Sequence, residues 1–192
     1  MRKFKISVLL KLGFYCLFLS IGLEMQARKF VHPGILHTTK SIERMRAQIA
    51  DKEYPAYGSF ELLKSHHCSQ ADYQPFGPFE IISRDGEFRH TKSKMEQDFS
   101  AVYQNALMWV LTGEKAHAEK SLELLLGYAG TLKRIPETND APLLVGLEGL
   151  KIIYATEMLR HTYKKMTVVQ FNEISRMIRN VFLPVMENFY HR

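Results

Sequence analysis

The side chains best suited to chemistry on a polar ligand cluster between residues 66 and 91. Tyr73, Phe76, Phe79 and Phe88 lie there among Pro75, Gly77, Pro78 and Gly86, beside Arg84, Arg89 and His90, with Lys92 just beyond. No helical or alternating period holds across this stretch, so it reads as a long loop without regular structure. Loops of that length inside a domain are often lids or binding loops. Aromatic faces and guanidinium groups together suit sugar rings and carboxylates. The alternative is a loop whose aromatics staple it onto the core.

His66-His67-Cys68 superficially suggests a metal site. Three consecutive residues point in different directions on a regular element, and no further ligand is spaced to complete a tetrahedron. A structural role is therefore expected, with no metal and no cofactor. The third group is Asn139-Asp140-Ala141-Pro142. Asn139 or Asp140 can cap free backbone N–H groups there, and Pro142 sits where its missing donor costs nothing.

These groups must be positioned by helices. Leu143, Leu147, Leu150, Tyr154 and Met158 recur at helical spacing, and Leu144, Ile152, Ile153 and Leu159 widen the stripe, so 143–163 reads as an inner helix packed on several sides. Its few polar groups, Glu148, Glu157 and Arg160 among them, then face other helices or a cleft. Gly146 and Gly149 imply close backbone approach by a neighbour. Ahead of it, Phe99, Val102, Ala106, Trp109 and Val110 form one stripe, and Ala118, Leu122, Leu125, Leu126, Ala129 and Leu132 form another. The short Thr112-Gly113-Glu114 break makes these two helices antiparallel. Thr167-Val168-Val169-Gln170 reads as a capping box opening a further helix, which Pro184 kinks or ends. Two shorter helices precede the loop, from Thr38 or Thr39 to about Lys52 and from Pro55 to about Ser65. Two successive hairpins, 93–133 and 139–189, repeat at about 46 residues, as in a solenoid or a closed toroid.

Residues 1–27 read as a cleavable export signal: Met1-Arg2-Lys3-Phe4-Lys5 is basic, Ile6 to Leu23 is apolar apart from Lys11, and Ala27 is small. An uncleaved anchor is the rival reading. Cys16 lacks the preceding small residues of a lipoprotein cysteine, and Cys68 alone remains after cleavage, which leaves no intramolecular disulfide. The chain of 192 residues carries 26 basic and 20 acidic side chains, a net +6. Four of those basic residues and one acid lie in the leader, so the remainder is only +3. That weak balance argues against nucleic acid and is compatible with an acidic polysaccharide.

Three pieces together resemble the alginate lyase family of bacterial polysaccharide lyases. They are His32-Pro-Gly-Ile-Leu-His37-Thr with the Ile42-Glu-Arg-Met-Arg46 helix, the Ala106-Leu-x-Trp-x-x-Thr112-Gly113-Glu114 turn, and Asn139-Asp140-Ala-Pro-Leu with Ala155-Thr-Glu157-Met-Leu-Arg160. The resemblance spans most of residues 30–163. It implies an exported, periplasmic or secreted bacterial protein of all-α class, whose residues 28–192 form an incomplete (α/α) toroid of antiparallel helical hairpins. The membrane is then met only through the export signal.

The activity implied is β-elimination on a polyuronate. That reaction needs a group neutralising the uronate carboxylate, a base for the C5 proton, and an acid for the leaving oxygen. In the family the catalytic Asn/His segment and a later Tyr follow the part matched here. The resemblance thus supplies no catalytic residue, and implies that this chain is inactive alone and is completed by a C-terminal partner chain. Arg84, near the end of the loop, is the expected carboxylate contact, because guanidinium matches a carboxylate bidentately. Tyr73 would stack on a sugar ring, and Asn139 and Asp140 would hydrogen-bond hydroxyls. The structural alternatives are an ion pair, loop packing and an N-cap respectively. The alternative class is a non-catalytic exported helical module that binds polysaccharide or protein.

Overall fold

Local capping chemistry sets some of the helix ends. In the computed structural model, which describes residues 30–191, Thr38 caps α1 (Thr39–Ala50) by accepting the Ser41 N–H at 3.1 Å. Helix α2 (Ala56–Ser65) follows Pro55. Helix α3 (Lys92–Thr112) ends at Gly113, whose φ of 77° is the left-handed conformation that only glycine adopts at no steric cost. Helix α4 (Lys115–Thr131) returns directly from that turn. The described residues are mostly helical and contain no strand; a single parallel bridge joins Ile81 to Arg134. The chain divides into Met1–Val31 and His32–Arg192, and the elements named here all lie in the second unit. The expected export signal lies outside the described residues.

The central helix differs from the single run expected. It comprises α5 (Ala141–Leu144), a π turn over Val145–Gly149, and α6 (Leu150–Thr162). Its N-cap is Asp140, without a side-chain cap hydrogen bond. A Cβ at Gly149 would lie 3.1 Å from Cδ1 of Phe182, which is the close approach expected there, but one at Gly146 would meet nothing within 4 Å. Nor is the helix covered all round: Leu143, Leu147 and Leu150 are 48, 48 and 43% exposed. Helical period identifies a shared face, but it does not say whether a neighbour covers that face.

Thr167 and Gln170 form the capping box of α7 (Val168–Met177). A second π turn, Ile178–Phe182, then leads into α8 (Leu183–Tyr190). Pro184 lies in the first turn of α8, so the helix accommodates its missing N–H by widening upstream instead of stopping.

Cross-helix contacts give the directions. Ser121 Oγ donates to the Val102 carbonyl at 2.7 Å, and Tyr128 bonds Asp98, so α3 and α4 are antiparallel. Arg160 sits over the Phe171 ring and Phe182 meets Gly149, so α6 and the α7 arm are antiparallel too. The first arms, α3 and α6, run parallel: Lys151 bonds Ser100, Tyr154 faces Tyr103, and Trp109 Nε1 donates to Thr162 Oγ1 at 2.8 Å. Equivalent positions are thus 51 to 53 residues apart, longer than the expected 46 because the connection and π turn add length. Phe99, Val102, Leu125, Tyr128, Ile152, Leu159 and Ile174 form the core between these hairpins.

Candidate functional site

The loop after α2 is pinned by one carboxylate. Asp98, fully buried on α3, accepts four hydrogen bonds: from Tyr73 Oη (2.8 Å), Phe76 N (2.9 Å), Gly77 N (2.8 Å) and Tyr128 Oη (2.6 Å). Nearby, Asn105 donates to the carbonyls of Cys68 and Gln70, while its Oδ1 accepts from His117 Nδ1 at 2.8 Å. The expected structureless loop instead carries two 3-10 turns, His67–Ser69 and Gly86–Thr91, and is fastened along its length. Burying a charge is tolerable here because its oxygens meet four donors.

Past this anchor, polar groups follow the parallel seam between α3 and α6. Glu96, Ser100 and Tyr103 recur on α3 at i, i+4, i+7. Glu148, Lys151, Tyr154, Glu157 and His161 follow one another along the π turn and α6. At one end Arg84 Nη1 donates to Glu96 Oε1, and Asp140 Oδ2 lies 3.9 Å from Arg84 Nε. That distance is too long for a hydrogen bond, and the buried Arg84 Nε has no hydrogen-bond partner among the described residues. Lys151 Nζ bridges Glu148 Oε2 at 2.8 Å and Ser100 Oγ at 3.0 Å. Burial raises the Glu148 carboxyl above its usual pKa, against the opposing pull of Lys151.

In the middle of the seam His37 Nε2 is 2.7 Å from Tyr103 Oη, with Tyr154 beyond it. Burial lowers the His37 pKa and raises that of Tyr103, so at neutral pH the pair is a neutral imidazole beside a protonated phenol. Such a pair can pass or share a proton with a bound hydroxyl. One turn further on, His32 Nδ1 lies 2.6 Å from Glu157 Oε1, which also accepts the Gly34 N–H at 3.1 Å.

The four residues singled out from sequence separate into two places. Arg84 and Asp140 meet at the end of the seam, and Asn139 is exposed beside them. Tyr73 is 7% exposed, with its ring in the core and its hydroxyl on Asp98. His37, Tyr103 and Lys151 are not among the residues singled out from sequence, and Tyr154 stands there in the apolar stripe of the central helix. His66, His67 and Cys68 depart from the divergence expected of them: the 3-10 turn brings their ligand atoms within 4.8 Å of one another. Cys68 is nevertheless buried, its thiol pKa is raised by burial, and its N–H donates to His66 Nδ1. No protein-family model, curated protein or solved structure matches the chain.

Proposed function

We propose that this chain is the substrate-positioning part of an exported, alginate lyase-like α/α toroid that acts on a uronate polysaccharide by β-elimination. The observation that carries the reading is the polar and aromatic row along the parallel α3–α6 seam, with the N-terminal segment and the pinned loop at its borders. Parallel first arms are what an array of helical hairpins requires, and they put one face of each on a common wall. The exposed Leu143, Leu147, Leu150 and Leu183 offer a further hairpin its place, as closure of a toroid would need.

On this reading Arg84 and Lys151 contact uronate carboxylates, Tyr154 and Tyr103 border the sugar rings, and Asn139 and Asp140 receive hydroxyls. His37 with Tyr103 handles hydroxyl protons. The complementing half supplies the base and acid of elimination, so the chain alone binds without turning over. The test is to add alginate and other polyuronates to the protein while following unsaturated uronate absorbance and, separately, binding by calorimetry. Binding that falls at least about tenfold in Lys151→Ala and Arg84→Ala, without turnover, is the expected result. Robust turnover by the chain alone would refute the division of labour.

One observation favours the second reading, a non-catalytic exported module that binds polysaccharide or protein. Both cations of the row already have carboxylate partners, Glu96 and Glu148, so an incoming anion must displace one of them. Binding of neutral glycans equal to that of polyuronates would select this reading.

A further inference from the structure

We propose that His32, Glu157 and His161 form a binding site for a divalent transition-metal ion of the zinc type. This inference stands on the geometry of these three side chains and does not depend on the glycan reading. Glu157 and His161 are at i, i+4 on α6, which places both on one face of the helix. The N-terminal segment brings His32 to the same face. His32 Nδ1 is 2.6 Å from Glu157 Oε1, His161 Nε2 is 3.5 Å from Glu157 Oε2, and one ligand atom from each residue lies within 4.8 Å of the others. Ligand atoms around a tetrahedral zinc ion with bonds of about 2.0–2.1 Å stand roughly 3.3 Å apart. The observed spacings bracket that edge.

Two further features suit an ion. The Gly34 N–H on Glu157 Oε1 orients the carboxylate from outside the ligand set. The side chains of His32 and His161 are 44% and 30% exposed, which leaves a fourth position open to water. In the present arrangement the two imidazoles are stacked, with centroids 4.2 Å apart and planes 10° from parallel. Parallel rings cannot both direct in-plane lone pairs at one ion, so binding turns one ring out of the stack. His66, His67 and Cys68 are the weaker cluster, because the thiol is buried and the His66 Nδ1 lone pair is occupied.

Loaded with an ion, the site would join the His32–Gly34 segment to α6 one turn beyond Tyr154, and so hold that border of the seam in place. The experiment is calorimetry of the full chain with Zn²⁺ alone, together with visible absorption on adding Co²⁺. One equivalent of Zn²⁺ at about micromolar Kd, with the absorption bands of tetrahedral Co²⁺, is expected. His161→Ala and Glu157→Gln should each weaken binding by at least about tenfold, while Cys68→Ser leaves it unchanged. Circular dichroism checks that each variant is folded; His161 is partly exposed, so its replacement should be tolerated even if Glu157→Gln frees the Gly34 segment. Absence of binding up to about 100 μM Zn²⁺ overturns the proposal. So does binding that survives both His161→Ala and Glu157→Gln or is abolished by Cys68→Ser.

Discussion

Tyr128 of α4 donates its hydroxyl proton to Asp98 of α3 across 2.6 Å, in the interior and directly beneath the loop that borders the seam. The same carboxylate holds Tyr73 and two loop amides, so one buried charge joins a helical hairpin to the preceding loop. Asp98→Ala would strand two buried phenol donors and two part-buried loop amides and should cost about 3–5 kcal/mol, read as a lower midpoint of urea unfolding. Asp98→Asn keeps the shape but turns an amide N–H₂ toward two of those donors, and should recover only part of the loss. A cost below about 1 kcal/mol for the alanine variant would show that the network contributes little.

Alkaline pH should loosen the same network. Burial first, and then the hydrogen bonds to Asp98, push the Tyr73 and Tyr128 phenols far above their usual pKa. The folded state therefore keeps both protons where the unfolded chain releases them. Stability is intact below the unfolded tyrosine value of about 10 and falls above it, by about 1.4 kcal/mol per pH unit for each tyrosine. Urea melts at pH 9, 10 and 11 should show that slope, and replacing both tyrosines with Phe should flatten it.

Mild acid should act through His37 and His117. Burial lowers both pKa values, and His117 Nδ1 lies 2.8 Å from Asn105 Oδ1 while Glu114 partly opposes the shift. For a depressed imidazole the stability is present above the unfolded value of about 6.5 and is lost as pH falls through the folded one. Ring-proton NMR should find both imidazole midpoints below 6.5. His117→Ala should make stability less dependent on pH below that point. Midpoints at or above 6.5 would contradict the assignment.

Gly77 tests how tightly the loop is seated. A Cβ there would lie 2.4 Å from Tyr128 Oη and 2.9 Å from Cζ, and that ring is buried with its hydroxyl engaged. Gly77→Ala should therefore cost about 1–3 kcal/mol, because the ring or the loop must shift. The Gly77→Ala, Tyr128→Phe double variant should recover part of that cost. Equal stability of wild type and Gly77→Ala in chemical denaturation would mean that the loop moves freely.

The residues that begin and end helices were legible in the chain because they act within a few positions of themselves. Thr38, Gly113 and the Thr167–Gln170 pair satisfy backbone groups of their own turns, and their local chemistry names them. The all-α class and the antiparallel α3–α4 hairpin followed from period and a short break. Asp98 could not be read in this way, since a carboxylate on a helix says nothing about which distant amides and phenols will reach it. Nor could the exposure of Leu143, Leu147 and Leu150, because period marks a face and only a neighbour decides its burial. The register of α3 against α6 likewise depends on contacts more than 50 residues apart, and that register alone brings Lys151 to Ser100 and Tyr154 to Tyr103. Helix boundaries are local equilibria of the backbone; the candidate site arises from packing between helices, which tertiary structure alone decides.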